Sequence, residues 1–328
     1  MNWWLAAAML PSLIVAGLTA AVVRRLAPRW GLVDRPGHRK VHTTPTPLGG
    51  GLAIWLGVLV PFAAGYALLA TLVPNPAGGW LVAGRWPLPN VIAMHVGGLA
   101  SQTPRLWFLL AAGTVLVILG LIDDRRGLDW KLRLAVQTAV AVAMVWFWHG
   151  WRLTIYLNQP WLTYTLSVLW IVGLINSFNM LDNMDGLSGG VAAIAAAMLA
   201  AVLLTTPNPA THQPQLFVSG FLLVLVGSLA GFLCHNRPPA RIFMGDAGSY
   251  FIGFCLAIAT NMATFTGGDL PWYTMFVPLC ILAVPVYDTV TVVWIRLRQG
   301  RSPFEADKNH FSHRLVELGM TKGQAVLT

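Results

Sequence analysis

Charge is what this sequence has least of. Asp, Glu, Lys and Arg make up 10% of its 328 residues, where a soluble domain carries roughly 25%. With 56% hydrophobic residues and a mean hydropathy of +0.64, that shortage excludes a soluble globular protein. Cysteine is nearly as scarce. Cys234, Cys255 and Cys280 all lie in apolar runs, which leaves no disulfide framework and no cysteine-held metal pattern. There is also no Walker lysine loop and no G-x-G-x-x-G turn, so the soluble nucleotide-binding folds are not indicated.

What is present is apolar length. A membrane helix needs about 20 residues, and about nine candidate spans can be read, near 2–23, 49–73, 106–122, 132–150, 161–181, 186–205, 216–234, 248–266 and 271–295. The expected fold is an all-α polytopic integral membrane protein, one domain over residues 1–328. The first span lacks a basic leader region and is followed by Arg24 and Arg25, so it reads as an uncleaved anchor rather than a signal peptide. Alternating the spans puts 18 of the 21 bases on one side and leaves Arg85, Arg105 and Arg152 for the other. The basic side is then cytoplasmic. The formal charge of +9 is mostly topology, and a nucleic-acid partner is not expected.

The acids follow a pattern that topology does not require. Of 12, Asp269 alone falls outside; the rest sit on the cytoplasmic face or at helix ends beside it. A charge at a helix centre costs roughly 3 kcal/mol on insertion scales, so acids gathered at separate junctions suggest one polar site. The third span ends in "LIDDRRGL". Adjacent Asp123 and Asp124 suit a Mg²⁺ site, or else a solvated helix end paired to Arg125 and Arg126. In "NSFNMLDNMDGLSGG", Asn176, Asn179 and Asn183 form one polar stripe if the fifth helix persists that far, with Asp182 and Asp185 beside them. Gly186, Gly189 and Gly190 would let backbone approach a ligand at the next helix start. "HNRPPARIFMGDAGS" holds Asp246, with Ser249 as a candidate cap for the following helix. "QGRSPFEADKNHFSHRLVELG" carries His310 and His313, better suited to phosphate contact than to zinc. "DRPGHRKVHTTPTPLGG" offers Arg39, Lys40 and His42 before a glycine-rich helix entry.

These five junctions, in this order and on one face, closely resemble the polyprenyl-phosphate N-acetylhexosamine-1-phosphate transferases (glycosyltransferase family 4) over about residues 34–324. The resemblance implies Mg²⁺-dependent transfer, with Mn²⁺ as a substitute ion, of a sugar-1-phosphate from a UDP-sugar to undecaprenyl phosphate, releasing UMP. It also implies a multi-pass protein of the bacterial inner membrane, its active site on the cytoplasmic face, and a homodimer as a candidate assembly. Residue by residue, it makes Asp246 the first Mg²⁺ ligand, with Asn179 and Asp124 as helpers. Asp123 matches the residue proposed as base toward the lipid phosphate or as nucleophile. Asp182 and Asp185 match a pair implicated in nucleotide or metal contact. Asn236 and Phe243 match uridine-lining positions, His310 and His313 the histidine motif near the diphosphate, and Lys131 a basic position beyond the double Asp. Lys40 and His42 join the substrate-binding candidates. Asp288, in "VPVYDT", suggests a buried structural partner.

The sequence departs from the family pattern at three points. Asn183 stands where Gly is usual, and Ser312 where many relatives have another His. The chain stops at "KGQAVLT", where relatives begin a last helix, so it is expected to be C-terminally short by a tenth span. The "SPFEAD" loop resembles the WecA/TagO-like branch and favours UDP-GlcNAc over UDP-GalNAc, a deoxy-aminosugar nucleotide or UDP-MurNAc-pentapeptide. A lipid or nucleotide-sugar transporter would instead place its polar path near the bilayer midplane, and a scaffold would not need Asp123, Asp124, Asp182, Asp185 and Asp246 together.

Overall fold

Inside hydrocarbon only a helix or a closed barrel satisfies every backbone group, and the apolar runs become helices. The computed structural model describes residues 2–34, 45–72, 96–148, 152–153, 159–209, 211–265, 270–303 and 309–328. The helices are α1 (Asn2–Leu26), α2 (Gly50–Leu72), α3 (Val96–Arg126), α4 (Trp130–Phe147), α5 (Pro160–Leu181), α6 (Leu187–Thr205), α7 (Leu216–Asn236) and α8 (Gly245–Met262). They continue with α9 (Val277–Ile281), α10 (Ala283–Arg298), α11 (Phe311–Glu317) and α12 (Lys322–Leu327). A two-residue antiparallel ladder joins β1 (Val33–Asp34) to β2 (Thr46–Pro47).

Seven of the described helices are long and apolar enough to cross a membrane, or eight if one bent pair is counted as a span. The protein is thus a polytopic helical membrane protein. Helix α8 is not among the seven, yet it organises the bundle. Every residue from Ala247 to Asn261 is buried, and α2, α3, α5, α6 and α7 all pack against it. A helix covered on all sides belongs to the centre of a bundle. Its N-terminus carries Asp246.

The expected ninth span is broken. A 3₁₀ turn (Trp272–Phe276) and α9 meet α10 at a bend of 73°. Pro285 explains the position: it has no N–H for the carbonyl four residues back, at Ile281, and its ring crowds that oxygen. Helix α1 packs along α7. The backbone of Met9 lies against Gly227, and that of Leu13 and Gly17 against Gly231. Contact positions rising together mean that the two helices run parallel and end on the same face.

Candidate active site

The site begins where α3 meets the start of α8. At Gly120, one turn before Asp124, a side chain would collide with the backbone of Ala247, so the two helices meet at backbone distance. Asp124 then reaches the exposed N–H groups of α8. Its Oδ1 accepts from Asp246 N at 2.8 Å and its Oδ2 from Ala247 N at 3.4 Å. A carboxylate there offsets the positive end of the helix dipole. The expected cap, Ser249, instead lies inside the helix and donates to the Asp246 carbonyl at 3.3 Å. Gly245 makes the approach feasible: its φ is +71°, and a Cβ there would sit 2.5 Å from Asp124 Oδ2.

Asp123 turns elsewhere. Its Oδ1 accepts from Leu128 N at 2.7 Å, and its Oδ2 from Arg133 Nη1 and the Tyr250 hydroxyl, each at 2.9 Å. The adjacent carboxylates are therefore separated by protein groups, a guanidinium for one and a helix N-terminus for the other. Among the described residues neither pairs with Arg125 or Arg126. Arg133 Nη1 also stands 4.0 Å from Asp246 Oδ2, so one cation faces two acids from different helices.

Arg133 and Tyr250 were not among the sequence candidates. Lys131 was, but it is exposed and lies over the Trp130 ring, 5.8 Å from its centroid. The signal separating the two bases is the buried face of α4, which runs through Gln137, Ala141 and Met144. Arg133 lies one turn before Gln137 on that face, and Lys131 does not. Tyr250 lies one turn after Asp246, so both point from α8 toward α3.

Helix α5 brings the third side of the site. Asn179 Nδ2 donates to Asp246 Oδ1 at 2.6 Å and to Ser249 Oγ at 3.0 Å. Asn176 lies one turn deeper and donates to Gln137 Oε1 at 2.7 Å. The expected stripe does not extend to Asn183, because α5 ends at Leu181. Just past that end, burial first, and then the Asp246 and Asp185 carboxylates, push Asp182 up to about 7. Asp185 accepts from Ala240 N at 2.9 Å, tying the α5–α6 turn to the α7–α8 loop.

The remaining candidates are placed as follows. Asn236 is buried, with Oδ1 accepting from Gly186 N at 3.0 Å and Nδ2 donating to the Ile242 carbonyl at 2.9 Å. Both ends of its amide thus clamp the loop. Phe243 is half-buried, and its backbone bonds to Pro47 O at 2.8 Å and to Gly50 N at 2.9 Å. His310 Nδ1 meets Asp288 Oδ2 at 2.8 Å, and Phe311 N donates to Asp288 Oδ1 at 2.7 Å. Asp288 is therefore the buried partner that orients His310, whose ring stands edge-on to His313 at 6.1 Å. Lys40 and His42 lie outside the described residues.

Comparison with known proteins fits this geometry. The glycosyl transferase family 4 pattern matches residues 106–264, from within α3 to just past α8. The chain is 31% identical over 327 residues to the probable undecaprenyl-phosphate N-acetylglucosaminyl 1-phosphate transferase of Bacillus subtilis (strain 168), covering 98% of this chain and 79% of the relative. This chain belongs to glycosyl transferase family 4. It is also 33% identical over 348 residues to the decaprenyl-phosphate N-acetylglucosaminephosphotransferase of Mycobacterium tuberculosis (strain ATCC 25618 / H37Rv), with 97% and 79% covered. A third relative, the undecaprenyl-phosphate alpha-N-acetylglucosaminyl 1-phosphate transferase of Escherichia coli (strain K12), is 28% identical over 313 residues, with 92% and 74% covered.

For a family 4 transferase the donor set can be tested against Mg²⁺. Asp246, Asn179 and Asp124 carry oxygen, the donor type Mg²⁺ takes, and such sites combine one or two carboxylates with substrate phosphates. Here Asn179 turns Nδ2 toward Asp246 and both Asp124 oxygens accept from α8, so Asp246 is the carboxylate best placed to meet an ion. Among the described residues no group of three or more His, Cys, Asp or Glu closes round a point. An open, acidic set of this kind suits an ion shared with a phosphate ligand better than one caged by protein.

Proposed function

We propose that this family 4 chain transfers an N-acetylhexosamine-1-phosphate, with GlcNAc-1-phosphate as the favoured group, from a UDP-sugar to undecaprenyl phosphate at the cytoplasmic face of a bacterial inner membrane. The observation that carries this reading is the single network joining Asp123, Arg133, Asp246, Asn179 and Asp124 from four helices. The names of the relatives support a polyprenyl phosphate acceptor and an N-acetylglucosaminyl phosphate group. The bias of bases toward one side supports the orientation. Nine spans in all, counting α8 and the bent pair, remain our expectation for the topology.

In this reaction an oxygen of the acceptor phosphate attacks the phosphorus that bears the sugar. The bond from that phosphorus to the bridging oxygen breaks, and UMP leaves with the electron pair. Asp123, fixed on both oxygens, is the group placed to take the acceptor's proton. Arg133 faces the same region and offsets the charge of two converging phosphates. Asp246 and Asn179, with Asp124 behind them, would hold Mg²⁺, which when bound neutralises diphosphate and leaving-group charge. Phe243, on a loop fixed by Pro47 and Gly50, is the candidate platform for uracil. His310 and His313 are the candidate contacts to the diphosphate.

Purified protein in nanodiscs with undecaprenyl phosphate, Mg²⁺ and radiolabelled UDP-GlcNAc should release UMP and yield a labelled lipid. UDP-GalNAc and UDP-MurNAc-pentapeptide serve as competing donors. UMP release from neither UDP-GlcNAc nor a competing donor would overturn the reading; release with a competitor alone would move the sugar and keep the reaction.

A further inference from the structure

The loop between α7 and α8 has a second side. Arg237 N bonds to Leu233 O at 3.0 Å and Arg241 N to His235 O at 2.9 Å. With the Asn236 clamp and the Asp185 contact, the backbone carrying both arginines is held at four points. Cys234, His235, Arg237, Pro238, Pro239 and Arg241 line a cavity of about 250 Å³ beside it. None of the six belongs to the carboxylate network.

The cavity is rich in donors and poor in acceptors. Both arginines are exposed, and among the described residues neither has an ion-pair partner. Asp185, which meets this loop, is turned onto Ala240 N. His235 Nε2 lies 3.1 Å from Gly17 O of α1, and because a carbonyl can only accept, that nitrogen donates. Its Nδ1 is buried and without a hydrogen-bond partner among the described residues, and in the neutral ring it is the acceptor nitrogen. Two guanidinium forks, with no lining carboxylate, match the oxygens of a phosphate.

Position adds the carrier. The cavity sits at the end of the apolar span Leu216–Asn236, the depth at which basic pockets between helices take lipid headgroups. Helix α1 runs parallel to α7 and carries Arg24 and Arg25 in its last turn, extending the positive surface on the same face. We propose that this cavity binds a phosphate group, carried by an anionic phospholipid headgroup or supplied as free phosphate, separately from the proposed transfer site.

Cys234 provides the probe. It is exposed in the cavity wall, whereas Cys255 is buried, so a Cys280→Ser background leaves Cys234 as the accessible thiol. Maleimide alkylation is timed in phosphatidylcholine nanodiscs, in the same discs with inorganic phosphate, and in discs containing phosphatidylglycerol. A ligand at roughly four times its Kd slows alkylation about fivefold. Protection by phosphatidylglycerol alone assigns the site to a headgroup, and protection by inorganic phosphate assigns it to the free ion. Adding Arg237→Gln and Arg241→Gln should reduce either effect to less than about twofold, which also controls for the bilayer's own charge. Continued shielding of Cys255 reports that the variant is folded. No protection from either source, or protection undiminished in the double Gln variant, overturns the proposal.

Discussion

Ser312 donates a 2.7 Å hydrogen bond to Oδ1 of Asn183. Both are positions where the sequence reading expects a departure from the pattern of the family it resembles, and they meet each other. The bond joins the turn carrying Asp182 and Asp185 to the helix that begins beside His310, so one departure is answered by the other. A neutral hydrogen bond contributes a net of about 0.5–1.5 kcal/mol. Asn183→Ala and Ser312→Ala should each lower kcat/KM for UDP-sugar by roughly three- to tenfold, and the double variant should lose no more than either alone. Additive losses would show that the pair is not coupled.

Asp124 makes a different kind of prediction, because its first observed role is to cap α8. Asp124→Asn keeps a capping oxygen and should melt close to the parent. Asp124→Ala should lose about 1–2 kcal/mol. Gly245→Ala should be at least as damaging, since it adds a strained positive φ and a collision with the Asp124 carboxylate. Thermal unfolding of the three variants checks the order. Equal melting of Asp124→Ala and Asp124→Asn would remove the cap from the account.

Arg133 is expected to matter more than the neighbouring base first suggested by sequence. Arg133→Ala leaves Asp123 without its cation and should reduce UMP release by roughly a hundredfold. Arg133→Lys should recover part of that loss, because a point charge cannot present the same planar fork. Lys131→Ala should cost clearly less than Arg133→Ala. The ranking is read from initial rates at saturating donor, and a larger loss at position 131 would reverse the assignment.

Asp182 gives a pH signature. With its carboxyl pushed up to about 7 from a model-peptide value of 3.8, the folded state keeps a proton that the unfolded state has already released. Stability from this group is complete below about pH 4 and is lost as pH rises through about 7. Melting temperature followed from pH 5 to 8 in chelator should therefore fall. Asp182→Asn should flatten that part of the profile, and an unchanged slope in the variant would assign it to other groups.

The apolar runs and the five polar junctions were legible because each is local: twenty apolar residues, or a few acids beside glycines. The partners of those acids were not. Asp124 finds its N–H groups 122 residues away, and nothing around "DDRR" marks α8 as the recipient. Lys131 and Arg133 differ by two positions, and the buried face of α4 distinguishes them once Gln137 is seen inside. Asn183 looked continuous with Asn176 and Asn179 because helical spacing was extended past Leu181, where the chain turns and Asn183 Nδ2 donates back to the Met180 carbonyl. The break before α10 was readable in principle, since Pro285 sits within an otherwise apolar run.

The Asp124 cap also has a consequence in time. Helix α3 emerges from the ribosome long before α8 exists, and at about 5–20 residues per second the 122 residues from Asp124 on to Asp246 take about 6–24 s. Until then the α3 carboxylate has no helix end to hold, and Asp246 has not been made. A nascent chain already threaded through several spans therefore lacks the α8 half of the proposed site. The site comes into being as a late event of biogenesis, when the central helix slides into place and meets a carboxylate that has been waiting for it.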